Sequence, residues 1–159
     1  MPKKGFLVQT AFEHDVPVFC PAFLDRSAGF GLVLHQARHP EKHLFIDSVN
    51  DFKELTQIKI NADTTGLVMI GGGVPKNFAQ DTVICAEILG HDALMHKYAI
   101  QITVADSRDG ACSWGKVNRI FEQMVYAEAT SVLLLLANHA FHSGLWKKRR
   151  KHSYAKLFD

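Results

Sequence analysis

Apolar residues along the chain gather into short continuous runs that alternate with longer stretches of helical spacing. A helix is expected before Val16, and Val16-Pro17-Val18-Phe19-Cys20 reads as a short buried strand. Ala28 to Arg38 follows as an amphipathic helix, and Leu44-Phe45-Ile46 as a second strand. The next helix starts near Ser48 or Asn50, since either side chain can accept hydrogen bonds from the first N–H groups of a helix. It carries Phe52, Leu55 and Ile58 at three-residue spacing, with Lys53, Glu54 and Gln57 turned outward. Thr65-Gly66-Leu67-Val68-Met69-Ile70 is a continuous apolar strand closed by Gly71-Gly72-Gly73. Val74-Pro75-Lys76 then opens a helix extending to about Leu89, proline being tolerated in a first turn. Tyr98 to Thr103 reads as a fourth strand, Val125-Tyr126-Ala127 as a short fifth, and Thr130 to Phe141 as a strongly apolar closing helix.

Strands that are apolar throughout and alternate with helices imply a mostly parallel sheet covered on both faces, a doubly wound α/β domain. Residues 1–145 are expected to form that domain, and 146–159 a basic tail built around Lys147-Lys148-Arg149-Arg150-Lys151, a run that reads as solvated. A length of 159 residues suits one modest core, and 47% hydrophobic with 21% charged residues is ordinary for a globular chain. The net charge of +2 gives no reason to expect a nucleic-acid partner. Cys20, Cys85 and Cys112 fall at non-repeating intervals, which argues against a disulfide framework and for a reducing, cytoplasmic setting. The polar start after Met1 predicts no signal peptide, and the longest apolar run, Val132 to Ala137, is far short of the roughly 20 residues that span a bilayer.

Open parallel sheets bind ligands beyond the C-terminal ends of their strands. Asp25 follows the first strand, Gly71 to Asn77 the third, Asp106 to Asp109 the fourth and Glu128 the fifth. Glycines after a strand let a backbone approach a phosphate or ring, yet the interrupted dinucleotide fingerprint is absent, so the triple glycine alone reads equally as a tight turn. His35 and His39 lie four apart on a helix and face the same way, but spacing places no third ligand, and no metal site is expected.

Several segments together resemble the C-terminal part of the deoxyhypusine synthase family. They are Pro17-Val18-Phe19-Cys20-Pro21-Ala22-Phe23 with Asp25 and Ser27, Gly71-Gly72-Gly73-Val74-Pro75-Lys76, Tyr98-Ala99-Ile100, and Asp109-Gly110 followed by Ser113-Trp114-Gly115-Lys116. Tyr126-Ala127-Glu128-Ala129 completes the set. The resemblance implies a Rossmann-like fold and NAD-dependent transfer of the aminobutyl group of spermidine, through a lysine imine, to an acceptor amine that is either a protein lysine or a small polyamine. By that resemblance Lys116 is the catalytic lysine, although a lysine after a turn would otherwise read as a surface residue. Desolvation beside Trp114 would favour its neutral, nucleophilic amine, and the indole face would suit a polyamine cation. Asp25, Gly72, Ala105, Glu128 and Ala129 fall where the family contacts NAD, and Asn77, Asp109, Gly110 and Trp114 where it contacts substrate. Glu128 reads equally as a first-turn carboxylate for the closing helix, a compatible role.

Four departures from the family pattern qualify the enzyme reading. Asn77 stands where the well-studied synthases place a proton-handling histidine, and Phe30 where they place a second aspartate for the polyamine. Only Ala111, Cys112 and Ser113 separate Asp109-Gly110 from Trp114-Gly115-Lys116, where the family has a longer loop with a substrate-binding glutamate. The family's serine- and threonine-rich NAD-binding segments have no counterpart here. The alternatives are therefore a catalytically inactive partner subunit of a full-length homologue, or a homospermidine-forming relative. In each case a homo-oligomer or a complementing subunit is expected.

Overall fold

In a computed structural model, residues 5–112, 121–148, 154 and 157 are described. The elements run α1 (Leu7–Glu13), α2 (Ser27–Arg38), α3 (Ser48–Ile60), β1 (Gly66–Ile70), α4 (Val74–Gln80), α5 (Thr82–Ile88), β2 (Tyr98–Thr103), β3 (Phe121–Tyr126) and α6 (Ala129–Ser143), with short 3-10 turns at Phe23–Asp25, Gly110–Cys112 and Leu145–Lys148. The three strands form one parallel sheet in the order β1-β2-β3, with Gly66 opposite Tyr98 and Tyr98 opposite Phe121. This is the α/β class expected, a portion of a Rossmann-like sheet. The strand order runs one way, so the reversal of a doubly wound sheet does not fall between the described strands.

The core lies where β2, the central strand, meets the helices. Ala99, Gln101, Ile102 and Thr103 of β2 are buried, together with Met69 of β1, Thr56 of α3, and Val83 and Ala86 of α5. Removing an isoleucine side chain such as Ile102 from water contributes about 2–3 kcal/mol. α3 lies against α5, and Phe52 of α3 meets Phe78 of α4 with ring centroids 4.9 Å apart. The α2 helix rides on the turn before it through Gly29, where a Cβ would come within 2.6 Å of the Leu24 carbonyl oxygen. That close approach requires a residue with no side chain.

Four expectations need correction. The segments at 16–20 and 44–46 form no strand, and Phe45 is 83% exposed. An apolar run becomes a strand only when a neighbouring strand offers it a hydrogen-bond ladder, and among the described residues none does so here. The cap of α3 is Asp47, whose carboxylate accepts from Val49 N at 3.1 Å and Asn50 N at 3.0 Å. The Asn50 amide instead donates to Glu54 at 2.7 Å. The helix expected from Val74 to about Leu89 is broken at Asp81 into α4 and α5. At the break the Ala79 carbonyl accepts from the Thr82 hydroxyl at 2.7 Å and meets the His96 ring at 3.2 Å, side-chain partners competing with the helical ladder. Finally, β3 begins at Phe121 rather than Val125, its first half disguised by Glu122 and Gln123.

Candidate functional site

Because the sheet is parallel, all its strands deliver their following loops to one edge. β1 ends at Ile70, opposite Ile102, and passes into a glycine turn in which Gly71 has φ +77° and Gly73 φ +82°. A β-carbon is strained at such angles, and beyond both positions lies open space. The turn is pinned from the sheet side. Gly71 N–H donates to the Ile102 carbonyl at 2.8 Å, and the buried Gln101 amide donates to the Gly71 carbonyl at 2.8 Å. Pro75 sits in the first turn of α4, and Asn77, exposed on that helix, donates its backbone N–H to the Gly73 carbonyl at 3.1 Å.

The loop after β2 is shaped by short polar contacts. Thr103 Oγ1 accepts from Ala105 N–H at 3.1 Å, and Asp106 Oδ1 accepts from both the backbone N–H and the Nε of Arg108 at 2.9 Å. The Arg108 guanidinium and backbone hold the Asp106 carboxyl below the ordinary aspartate range. Asp109 and Gly110 lead into the 3-10 turn Gly110–Cys112, with Cys112 N–H bonded to the Asp109 carbonyl at 2.9 Å. The loop after β3 is tied to the previous strand by Ala127 N–H on the Thr103 carbonyl at 3.0 Å. Glu128 then caps α6: its carboxylate accepts from Thr130 N–H at 3.0 Å and Ser131 N–H at 3.2 Å, and from the Thr130 hydroxyl. Those bonds from Thr130 and Ser131 lower the Glu128 pKa, favouring an ionised carboxylate.

The sheet therefore gathers Gly72, Ala105, Glu128 and Ala129 at its C-terminal edge, with Asn77 a turn into α4 and Asp109 and Gly110 on the loop leaving β2. A groove of about 190 Å³ runs from Leu67 along β1 to Gly72, Pro75 and Lys76. Asp25 is placed differently. It lies on the 3-10 turn before α2 and lines a mostly apolar cleft of about 570 Å³ with Cys20, Phe23, Val33 and Phe45, none of which lines the groove beside Gly72. Trp114 and Lys116 lie outside the described residues.

The donor set suits a dinucleotide better than a metal. An open glycine turn gives backbone access for phosphates, and an ionised carboxylate at the neighbouring strand end can accept from ribose hydroxyls. Among the described residues no group of three or more His, Cys, Asp or Glu is arranged to hold a metal ion. His35 and His39 do lie close, ring centroids 4.9 Å apart.

Sequence reasoning passed over two features. One is Gln101, whose signal was a lone amide inside the apolar run of β2. The other lies at the opposite end of the sheet. There Lys59 Nζ donates to Thr65 Oγ1 at 2.7 Å, Thr65 Oγ1 meets His96 Nδ1 at 2.9 Å, and His96 Nε2 meets the Ala79 carbonyl at 3.2 Å. A neutral imidazole with its proton on Nε2 satisfies every link of this chain. Burial, with the nearby Lys59 charge, pushes the His96 pKa down to about 4, and burial also lowers that of Lys59.

Comparison with known proteins follows the same lines. A family model described as deoxyhypusine synthase matches residues 2–140. A deoxyhypusine synthase-like protein of Coxiella burnetii (strain RSA 493 / Nine Mile phase I) is 66% identical over 165 residues, covering 98% of this chain and 47% of that protein. One of Caulobacter vibrioides is 60% identical over 168 residues, covering 98% and 46%. A probable deoxyhypusine synthase 2 of Methanosarcina mazei is 44% identical over 147 residues, covering 86% and 41%. The chain spans about half the length of the curated relatives it matches.

Proposed function

The chain belongs to the deoxyhypusine synthase family, and from that premise we propose that it forms the substrate-transferring part of an NAD-dependent aminobutyl transferase completed by a second polypeptide. The observation that carries this reading is the convergence of the glycine turn, Ala105 and Glu128 on one edge of a parallel sheet, the edge at which open α/β sheets bind their ligands. Residues 1–145 are the working domain in this account and 146–159 a basic tail.

NAD, when bound, would take a hydride from spermidine to leave an imine and would give it back to the final imine on the acceptor amine, so that the transfer is redox-neutral overall. The chain's own residues do the rest. The Gly71–Gly73 backbone approaches the phosphates, Glu128 accepts from ribose hydroxyls, and Ala105 and Ala129 leave room beside them. Asp109 pairs with an ammonium end of the polyamine, Gly110 lets the loop close on it, and the Trp114 face holds its cationic chain. The neutral amine of Lys116 adds to the imine carbon, the remaining diamine leaves, and an acceptor amine then displaces Lys116. Asp25 completes the cofactor contacts only when the cleft it lines is brought against this edge. Asn77 orients substrate by hydrogen bonding and holds no exchangeable charge near neutral pH.

No helix among the described residues is long and apolar enough to cross a membrane. Cys20, Cys85 and Cys112 are all free thiols, which supports a cytoplasmic setting. Incubation with NAD and spermidine, followed by mass spectrometry of polyamines and candidate acceptor proteins, tests the activity. The expected result is aminobutyl transfer when the complementing half is present. Transfer to free putrescine alone would identify the homospermidine-forming relative instead.

A second reading rests on two particular residues. Asn77 and the exposed Phe30 stand where the well-studied family members carry a histidine and an aspartate. A catalytically inactive partner subunit of a full-length homologue would tolerate both, and would raise that homologue's assembly without adding turnover.

A further inference from the structure

The central strand carries one residue that its place in the sheet does not require. Gln101 stands on β2 opposite Met69, wholly buried, where an apolar side chain would serve the core as well. A buried amide costs stability unless it is bonded. Its Nε2 donates at 2.8 Å to the carbonyl of Gly71, the first residue beyond the end of β1. Water ordinarily bonds the carbonyls of surface turns, so satisfying this one does not by itself explain an amide in the core. What the side chain adds is direction. Turning a peptide over changes ψ of the residue before it and φ of the residue after it, and a side chain restricts both angles. The peptide between Gly71 and Gly72 has glycine on each side, so neither angle is restricted. A turn that lets a ligand come close therefore leaves its own peptide free to face either way, and the Gln101 bond selects one.

Among the described residues every peptide bond is trans, and in a trans peptide the C=O and the following N–H point in opposite directions. With the Gly71 carbonyl held toward Gln101 in the core, Gly72 N–H is turned away from the core. Gly72 is exposed and lines the groove that runs from Leu67 to Lys76. The donors around it are already committed, Gly71 N–H to the Ile102 carbonyl and Asn77 N–H to the Gly73 carbonyl, whereas Gly72 N–H has no acceptor among the described residues. We propose that Gln101 is a positioning residue for this edge: it sets the Gly71–Gly72 peptide so that Gly72 N–H is presented to a phosphate oxygen of the dinucleotide. This deepens the function proposed above and rests on it for the identity of the ligand. A backbone donor fixed in this way does not have to reorganise when the ligand arrives, which is the advantage of holding it from the core.

The test follows the backbone amides of the isotope-labelled chain by nuclear magnetic resonance. Without NAD, Gly71 N–H should exchange slowly with solvent and Gly72 N–H fast. On titration with NAD the Gly72 resonance should move in step with binding. Gln101→Met keeps the length of the side chain and removes its donor. It should shift the Gly72 resonance before any NAD is added and weaken NAD binding about tenfold or more, the loss expected for one hydrogen bond to a charged group. Thr65→Val, which loosens the opposite end of the sheet, should do neither, and so separates lost positioning from lost stability. Circular dichroism checks that both variants fold, and the exchange rates in the unaltered chain decide the direction of the peptide without either. A Gly72 amide protected from exchange in the free chain, one that Gln101→Met leaves in place, or an NAD titration that moves other amides but not Gly72 would each overturn the proposal. An unaltered chain in which NAD moves no amide at all would instead count against the cofactor reading, and the Gln101 dependence of the Gly72 amide would still show which way the peptide is held.

Discussion

Where the strands begin, Lys59, Thr65 and His96 join the Ala79 carbonyl in a buried chain of hydrogen bonds; where they finish, Gly72, Asp106 and Glu128 stand exposed in three successive loops. Both ends are polar, and both were built from strand termini of the same sheet. The first spends its polar groups on one another, tying α3, β1, β2 and the α4–α5 break together, and so serves stability. The second uses bonds within each loop to fix backbone shape and leaves carboxylates facing water, which is what a ligand edge requires. Polarity alone therefore does not distinguish the two ends of the sheet; exposure does.

The buried end should be the more sensitive to change. Thr65→Val leaves the Lys59 ammonium without an acceptor and His96 Nδ1 without a donor, and should cost about 3 kcal/mol in urea unfolding. NAD affinity of the assembled protein should be unaffected, and a large loss of affinity would break the division between the two ends.

The same network sets a pH dependence. The folded state holds His96 neutral down to about pH 4, whereas the unfolded chain protonates it near 6.5. Protons thus bind preferentially to the unfolded state within that window. Stability is full above about pH 6.5 and falls as pH drops toward 4, by on the order of 3 kcal/mol in all. Urea midpoints measured from pH 7 to pH 4 should show this slope, and a His96→Gln variant should flatten it.

At the open end the effects divide between stability and binding. Gly73→Ala forces a Cβ onto a residue with φ +82° and should cost about 2 kcal/mol, with a loss of NAD affinity that exceeds any fall in stability. Glu128→Ala removes the α6 cap and should lower the midpoint of urea unfolding. Glu128→Ser keeps a capping oxygen but not the carboxylate, so if it restores stability but not NAD affinity, capping and ribose contact are separate roles of one side chain. Equal recovery of both would reduce Glu128 to a cap.

Much of this was legible in the residues. The β1 and β2 strands announce themselves because their apolar runs are continuous and both find ladder partners within the chain. The runs at 16–20 and 44–46 have the same apolar character but no partner, and a pattern of side chains cannot report whether a neighbour is present. The break at Asp81 was hidden because it depends on His96, seventeen residues ahead of Ala79, reaching back to its carbonyl. The Asp47 cap was hidden by Ser48 and Asn50, equally good cap residues one and three positions later. At the site, Gly72, Ala105, Glu128 and Ala129 could be placed together because parallel strands bring their ends to one edge. Asp25 lines a different cleft, on a turn whose packing depends on the approach of α2 through Gly29.

If this edge, once completed, passes an aminobutyl group through Lys116, the covalent intermediate can be trapped there. The direct measurement is to incubate the chain and its complementing half with NAD and labelled spermidine, reduce with borohydride, and map the labelled peptides. Label is expected on Lys116 and should be lost in Lys116→Arg although the positive charge is kept. Label on a different lysine, or label undiminished in Lys116→Arg, would contradict it, and a complete absence of label from a well-formed complex would leave the inactive-subunit reading in its place.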